Sequence, residues 1–429
     1  MSKNALAKHP KLKTSLWAAS VYITLGFAVL YFTIGVLMLE ADRYRAAGMH
    51  ENDIFFQADS RYAVENLTQF DSHYRRVHMH PTFVIMFNPI GQMVNAIVQN
   101  PPIATSIVCA LFGGINVGLL MYFMVLVKLP NRWVLLFGII FGLSSTQLVF
   151  STVPDTYVFS ATGMIMILIA GVKEWRIQYW ALITAYLLGI TISNIVPAML
   201  AVFFFVFSGR LRQVWEERTK VFYYVLFTGG VTAVLSLLQK LIYDSWLLSM
   251  LYRMEKDQQF LFIPSSWSEG FHRTIDLLEH ILVFNVVAPF TSLADHAVIK
   301  DIQLLSFQKA SLLDFSLSGL AAWPIWISVV ALVAHLIIRY KLFQLTFVKA
   351  CFAILSFHFV LHFTYGDDLM LYASHWTAIL FGLIIFVLKA TSVLEHRSMV
   401  PLGLGAFFCS SLAVNNSYLV HEMITAFTN

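Results

Sequence analysis

LWAASVYITLGFAVLYFTIGVLML, Leu16 to Leu39, carries no charged side chain. Coiled as an α-helix it is long enough to cross the roughly 30 Å hydrocarbon core of a bilayer, where only a helix or a closed barrel can satisfy its backbone polar groups. Lys3, Lys8, Lys11 and Lys13 precede it. The run is too long for the core of a cleaved leader and lacks a small-residue cleavage site, so it reads as a retained first span. Apolar runs of similar length recur along the 429 residues, which are 58% hydrophobic and only 12% charged. A water-soluble chain carries about twice that charged fraction. The predicted fold class is therefore all-α: a polytopic protein with one membrane-embedded domain over 1–429.

Basic residues near span ends mark the cytoplasmic side. The N-terminus is expected in the cytoplasm, with KLPNR (Lys128–Arg132), KEWR (Lys173–Arg176), SGRLRQVWEERTK (Ser208–Lys220), RYK (Arg339–Lys341) and EHR (Glu395–Arg397) on the same side. Spans fitted between these anchors are 16–39, 103–127, 132–150, 157–172, 177–191, 195–208, 221–243, 321–338, 343–363, 375–390 and 399–415, about eleven in all. The fit requires that Pro81–Gln99, with Asn88-Pro89 and Gly91-Gln92, form an interfacial or re-entrant helix, and that Ile177–Phe207 break near Thr191–Asn194. Two external loops follow, 40–102 and 244–320. The net charge of +4 is distributed among the short basic loops, where it reports topology and gives no sign of a nucleic-acid partner. Cys109, Cys351 and Cys409 lie inside apolar runs at unrelated spacings and define neither a disulfide framework nor a thiolate site. No repeat of fixed period is visible.

Ionisable residues concentrate outside. QADSRYAVENLTQFDSHYRRVHMHP, Gln57–Pro81, holds two aspartates, a glutamate, three arginines and three histidines. Asp59, beside Ser60 and Arg61, is either the partner of that arginine or a general base, kept ionised by cationic neighbours and placed near an acceptor hydroxyl. Asp53 is a second candidate for the base. His73, Tyr74, Arg75, Arg76, His78 and His80 bring the donors and positive charge that suit a phosphate at the membrane interface, or anionic lipid headgroups. His73, His78 and His80 near Asp59 and Asp71 fit no well-defined ligand spacing, so no metal site is assigned.

STVPDTYVFSA, Ser151–Ala161, places Asp155 and Tyr157 where one span turns back into the next; Asp155 is a helix cap or a second acid facing the cavity of Asp59. HFVLHFTYGDDLMLYASHW, His358–Trp376, sets His358 and His362 one helical turn apart, followed by Asp367, Asp368 and His375. Such groups at membrane depth are costly unless they line a polar cavity or pair, which makes His362 and His375 functional candidates beside the packing alternative. In the long loop, Phe271–Val287 is amphipathic and suits a helix roofing a cavity. Asn66-Leu67-Thr68 and Asn415-Asn416-Ser417 are sequons on the expected external side.

This organisation resembles the GT-C superfamily of integral-membrane glycosyltransferases, which includes protein O-mannosyltransferases and aminoarabinose transferases. The residues that carry the likeness are Asp59-Ser60-Arg61 in a long first external loop, the helix after it and the acidic turn Pro154-Asp155-Thr156-Tyr157. The blocks HYRRVHMHP and GDDLMLYASHW are similar to those of glycosyltransferase-like bacterial membrane proteins. The resemblance implies a polyprenyl- or dolichyl-phosphate-linked sugar donor and a lipid, glycan or protein acceptor. It implies Asp59 as base with inversion at the anomeric carbon, and Arg75, Arg76, His78 and His80 on the donor phosphate. Arg61, His73, Tyr74, Asp155, Tyr157, Asp367, Asp368 and His375 would contact substrate. Many members carry two adjacent acids where this chain has Asp59-Ser60. Some use a divalent cation and others none, so that cofactor stays open, and the expected location is the bacterial inner membrane. The competing classes are a transporter or flippase of an anionic lipid or solute, and a lipid-linked polysaccharide polymerase or ligase.

Overall fold

The computed structural model describes residues 14–40, 54–72, 76–245, 261–295, 303–395 and 399–425. Its helices are α1 (Thr14–Glu40), α2 (Ser60–Thr68), α3 (Phe83–Val98), α4 (Pro101–Leu126), α5 (Asn131–Gly142), α6 (Ser145–Thr152), α7 (Tyr157–Lys173), α8 (Ile177–Ile190), α9 (Ile195–Phe205), α10 (Leu211–Glu216), α11 (Arg218–Tyr243), α12 (Trp267–Glu279), α13 (Leu317–Arg339), α14 (Thr346–Thr364), α15 (Ala373–Ala390) and α16 (Met399–Thr425). One antiparallel pair, β1 (Ser292–Asp295) with β2 (Gln303–Ser306), interrupts the helices. The chain is an all-α, multi-pass membrane protein: α1, α4, α11, α13, α14 and the stretch Leu369–Ala390 are long and apolar enough to cross.

That count, six among the described residues, corrects the expected eleven. All the predicted apolar segments are helical, but several are too short or bent. The helices α7, α8 and α9 have 17, 14 and 11 residues. At 1.5 Å per residue they reach only about 26, 21 and 17 Å, against roughly 30 Å of hydrocarbon. The predicted span 132–150 is the pair α5 and α6, bent by 56°, a seventh crossing if taken as one. Hydropathy reports an apolar run, whereas a polar residue inside it decides where the helix stops. At the α5–α6 bend, Ser144 donates to Phe141 O (2.6 Å) and caps α6, while Asn416 Nδ2 from α16 donates to Leu143 O at 2.7 Å.

The break expected in Ile177–Phe207 lies between α8 and α9, where Thr191 is extended and Ile192–Asn194 makes a 3-10 turn. The freed backbone groups are met by the first loop: Thr82 N–H donates to Gly189 O (3.1 Å) and Ile192 N–H to Met79 O (3.0 Å). Pro81–Gln99 contains α3, too short at 16 residues for an upright crossing. It is anchored by polar bonds: Asn88 Nδ2 donates to Asn66 O and Gln69 O, both at 2.9 Å, and accepts on Oδ1 from Tyr243 OH at 3.0 Å. Gly91 permits the close approach of α3 to α2, since a Cβ there would sit 2.2 Å from Leu67 O.

The loops between the helices interlock. Phe56 N–H donates to Leu305 O (2.9 Å) and Leu305 N–H to Ile54 O (2.8 Å), which ties the first loop to β2. Phe262 N–H donates to Thr364 O at 2.9 Å, tying the segment ahead of α12 to the end of α14. Stretch Leu369–Ala390 is the hub, with 94% of its apolar window buried inside protein, so its side chains meet other helices in place of lipid.

Candidate active site

Asp59 stands just ahead of α2, where its side chain makes no capping bond to that helix. Two of the described residues hold it in place. Its backbone N–H donates to Asp155 Oδ2 at 2.8 Å, and its Oδ2 accepts from Arg76 Nη1 at 2.5 Å. The Asp59 and Arg76 side chains remain 17% and 26% exposed, so this pair is reachable from solvent. Arg61, adjacent in sequence, pairs with Glu65 at 2.8 Å along α2, as the helical spacing of four favours. Among the described residues, the cation paired with Asp59 is Arg76.

Asp155 is buried in the α6–α7 turn. Its Oδ1 accepts from the backbone N–H and the hydroxyl of Thr156, and its Oδ2 holds Asp59. Burial first, and the nearby Asp59 charge second, push its pKa up to about 7, while the hydrogen bonds pull the other way. Asp155 therefore holds the Asp59 backbone and does not itself open to solvent. Tyr157, the first residue of α7, lies within electrostatic reach of both acids. Its ring meets Tyr372 at 5.9 Å and His375 at 5.1 Å, which links the early acidic turn to the late loop.

In that late loop Asp368 is fully buried and accepts from Ser306 Oγ (2.6 Å) and Met370 N–H (3.0 Å). Burial raises its pKa to about 6. Asp367 is half-buried beside it and acts electrostatically on Tyr372 and Arg273. Gly366 takes a φ of +90°, where a side chain is disfavoured and would meet the Tyr372 ring.

His80 does not join the Asp59 cluster. Its Nδ1 lies 2.6 Å from Ile190 O at the end of α8, and its ring packs 4.6 Å from Tyr62. Burial drives its pKa down to about 3, so at neutral pH it is uncharged and brings no positive charge to a phosphate. His78 is half-buried next to it. Asp53, His73, Tyr74 and Arg75 lie outside the described residues.

Sequence reasoning missed Arg273. This α12 residue is 8% exposed and donates through Nη2 to His362 O (2.7 Å) and Gly366 O (2.5 Å), with its guanidinium over the Phe262 ring at 5.1 Å. Burial lowers its pKa, and Asp276 and Asp367 oppose that. The roofing expectation for α12 took its amphipathic face as a whole; an arginine on that face was the available signal. Two histidines, His358 and His362, face His375 across α14 and α15. A separate groove of about 650 Å³ lies between α8 and α11, walled by residues such as Tyr223, Phe227 and Val234; it is almost wholly apolar and holds none of these groups.

Fold and site together define a multi-pass α-helical membrane protein with ionisable residues gathered where three interlocked loops meet. No family model, no curated protein and no solved structure matches the chain.

Proposed function

We propose that this protein is a membrane glycosyltransferase of the GT-C kind, moving a sugar from a polyprenyl- or dolichyl-phosphate donor to an acceptor hydroxyl on the external face. The observation that carries the reading is Asp59: a part-exposed carboxylate, held at its backbone by Asp155 and paired with Arg76. A cationic partner favours the charged form of a carboxylate, the form a base must have before it accepts a proton. In the reaction the acceptor oxygen bonds to the anomeric carbon as its proton passes to Asp59. The bond from that carbon to the phosphate oxygen breaks on the opposite side, inverting the centre, and the lipid phosphate leaves with the electron pair. Arg76 and His78, with Arg75 next in the chain, supply donors for the charge that develops on the leaving phosphate. Asp367, half-buried in the late loop, is the group for substrate hydroxyls, while Tyr157 and His375 are buried and support the site. The membrane is the bacterial inner membrane, with the N-terminus in the cytoplasm.

The test is turnover of labelled polyprenyl-phosphate sugars by purified protein in lipid nanodiscs. Asp59→Asn should lose roughly a thousand-fold or more in rate, within the range expected for removal of a general base, while melting like the parent. Turnover indifferent to Asp59, or none by intact parent protein across the donor set, overturns the reading.

A further inference from the structure

We infer that His358, His362 and His375 bind a first-row divalent transition-metal ion at the loop-facing ends of α14 and α15. All three imidazoles are buried, with exposures of 0%, 2% and 1%. A ligand nitrogen from each lies within 4.8 Å of the others. His358 and His362 are one turn apart on α14, their rings 4° from parallel, a spacing that puts two imidazoles on one helix face as a ready chelate. His375 closes the third side from α15, its ring centroid 5.4 Å from that of His358.

Hydrogen bonding separates this cluster from ordinary packed histidines. His358 Nδ1 and Nε2, His375 Nδ1 and Nε2, and His362 Nε2 have no hydrogen-bond partner. Buried polar atoms are nearly always paired; each neutral imidazole carries one lone-pair nitrogen, so every ring here has an orphaned nitrogen free for an ion that accepts three lone pairs. His362 shows the expected supporting bond: its Nδ1 lies 3.3 Å from Tyr365 O. A proton on Nδ1, given to that carbonyl, leaves Nε2 as a bare lone pair, the arrangement metal-bound histidines typically adopt. Arg273 holds the His362 carbonyl in turn, fixing the end of α14.

The donor set selects the ligand. Neutral imidazoles suit zinc, copper, iron or nickel, whereas magnesium and calcium require oxygen ligands. Around a tetrahedral zinc the nitrogens stand about 3.3 Å apart, so the rings need swing inward by only roughly 1 to 1.5 Å. Charge compensation is near: Asp367 and Asp368 both act on Tyr372, whose ring stacks on His362 at 4.0 Å.

Metal content tests this without any transfer assay. Full-length protein purified in nanodiscs from zinc-supplemented cells should retain about one zinc per chain after gel filtration, as a tight site does. His362→Ala and His375→Ala should lose nearly all of it, and His335→Ala, an exposed control on α13, should keep it. Should the alanine variants misfold, parent protein stripped with chelator and given Co²⁺ must show the intense visible bands of a four-coordinate cobalt site, and zinc must displace them. Metal-free parent protein with no cobalt bands on reloading overturns the proposal. So does zinc that survives both histidine substitutions, which would place the ion elsewhere.

Discussion

The backbone N–H of Asp59 rests on Asp155 Oδ2 at 2.8 Å, although 96 residues separate the two in sequence. Above about pH 7, where Asp155 is ionised, the aspartate offers two acceptor oxygens and an asparagine only one, with its amide pointing at a donor. Asp155→Asn should therefore destabilise the protein by about 1–3 kcal/mol, the cost of stranding a buried donor, and should displace Asp59. A melt in nanodiscs measures the first effect and transfer rate the second.

The same pair has an electrical signature. Because the Asp59 charge helps hold the Asp155 pKa near 7, Asp59→Asn should move that titration to lower pH, only part of the way because burial remains the larger cause. The carboxyl stretch followed by infrared spectroscopy against pH reports it. An unmoved midpoint would refute the coupling.

Two buried groups pull stability in opposite directions with pH. His80 is held neutral in the fold with a pKa of about 3, against about 6.5 when exposed, so its contribution is complete above pH 6.5 and is lost as pH falls toward 3. Asp155 is held protonated up to about 7, so its contribution weakens as pH rises from about 4 through 7. His80→Phe keeps the stack on Tyr62 and removes the first effect. Between pH 6.5 and 4 it should recover on the order of 3 kcal/mol of acid-induced loss relative to the parent. Parallel melting profiles for variant and parent would contradict this.

Arg273 joins the roofing helix to the end of α14 through two carbonyls. Arg273→Ala strands both, at about 2–4 kcal/mol for two charge-assisted bonds. Lysine should not restore them, because its Nζ ends one bond short of Nη2 and it lacks the planar guanidinium that lies over Phe262. Hydrogen exchange at residues 362–368 should rise in both variants. Protection equal to the parent in the lysine variant would show that charge alone suffices.

Asn66 and Asn415, the two sequon asparagines, are 0% and 2% exposed and lie within helices. Asn66 Nδ2 donates to Tyr62 O and Asn415 Nδ2 to Ala288 O, both at 2.8 Å. Expressed in a host that glycosylates, the folded protein should carry no glycan at either site. Intact-mass measurement decides it.

The acids and cations of the site were legible because an ionisable side chain is conspicuous in an apolar chain, and the break near Thr191 because Ser193-Asn194-Pro197 interrupts a run. Partnerships were less visible. Arg61 is the neighbour of Asp59 in sequence, yet helix geometry turns it toward Glu65 and a later loop returns Arg76. His80 sits in a basic run, but its acceptor is a carbonyl freed by the end of α8, and backbone carbonyls have no sequence signature. The same holds for Arg273. The number of crossings was overestimated because window hydropathy does not see the short lengths of α7, α8 and α9.

The bend between α5 and α6 has a consequence for the order of assembly. Its open carbonyl at Leu143 is satisfied by Asn416, which leaves the ribosome 273 residues later. The joint must enter the bilayer without this bond, which only the arrival of α16 supplies. Maturation of the fold therefore ends far from where the bend began, with the late helix acting as a bolt slid home after the other walls are standing.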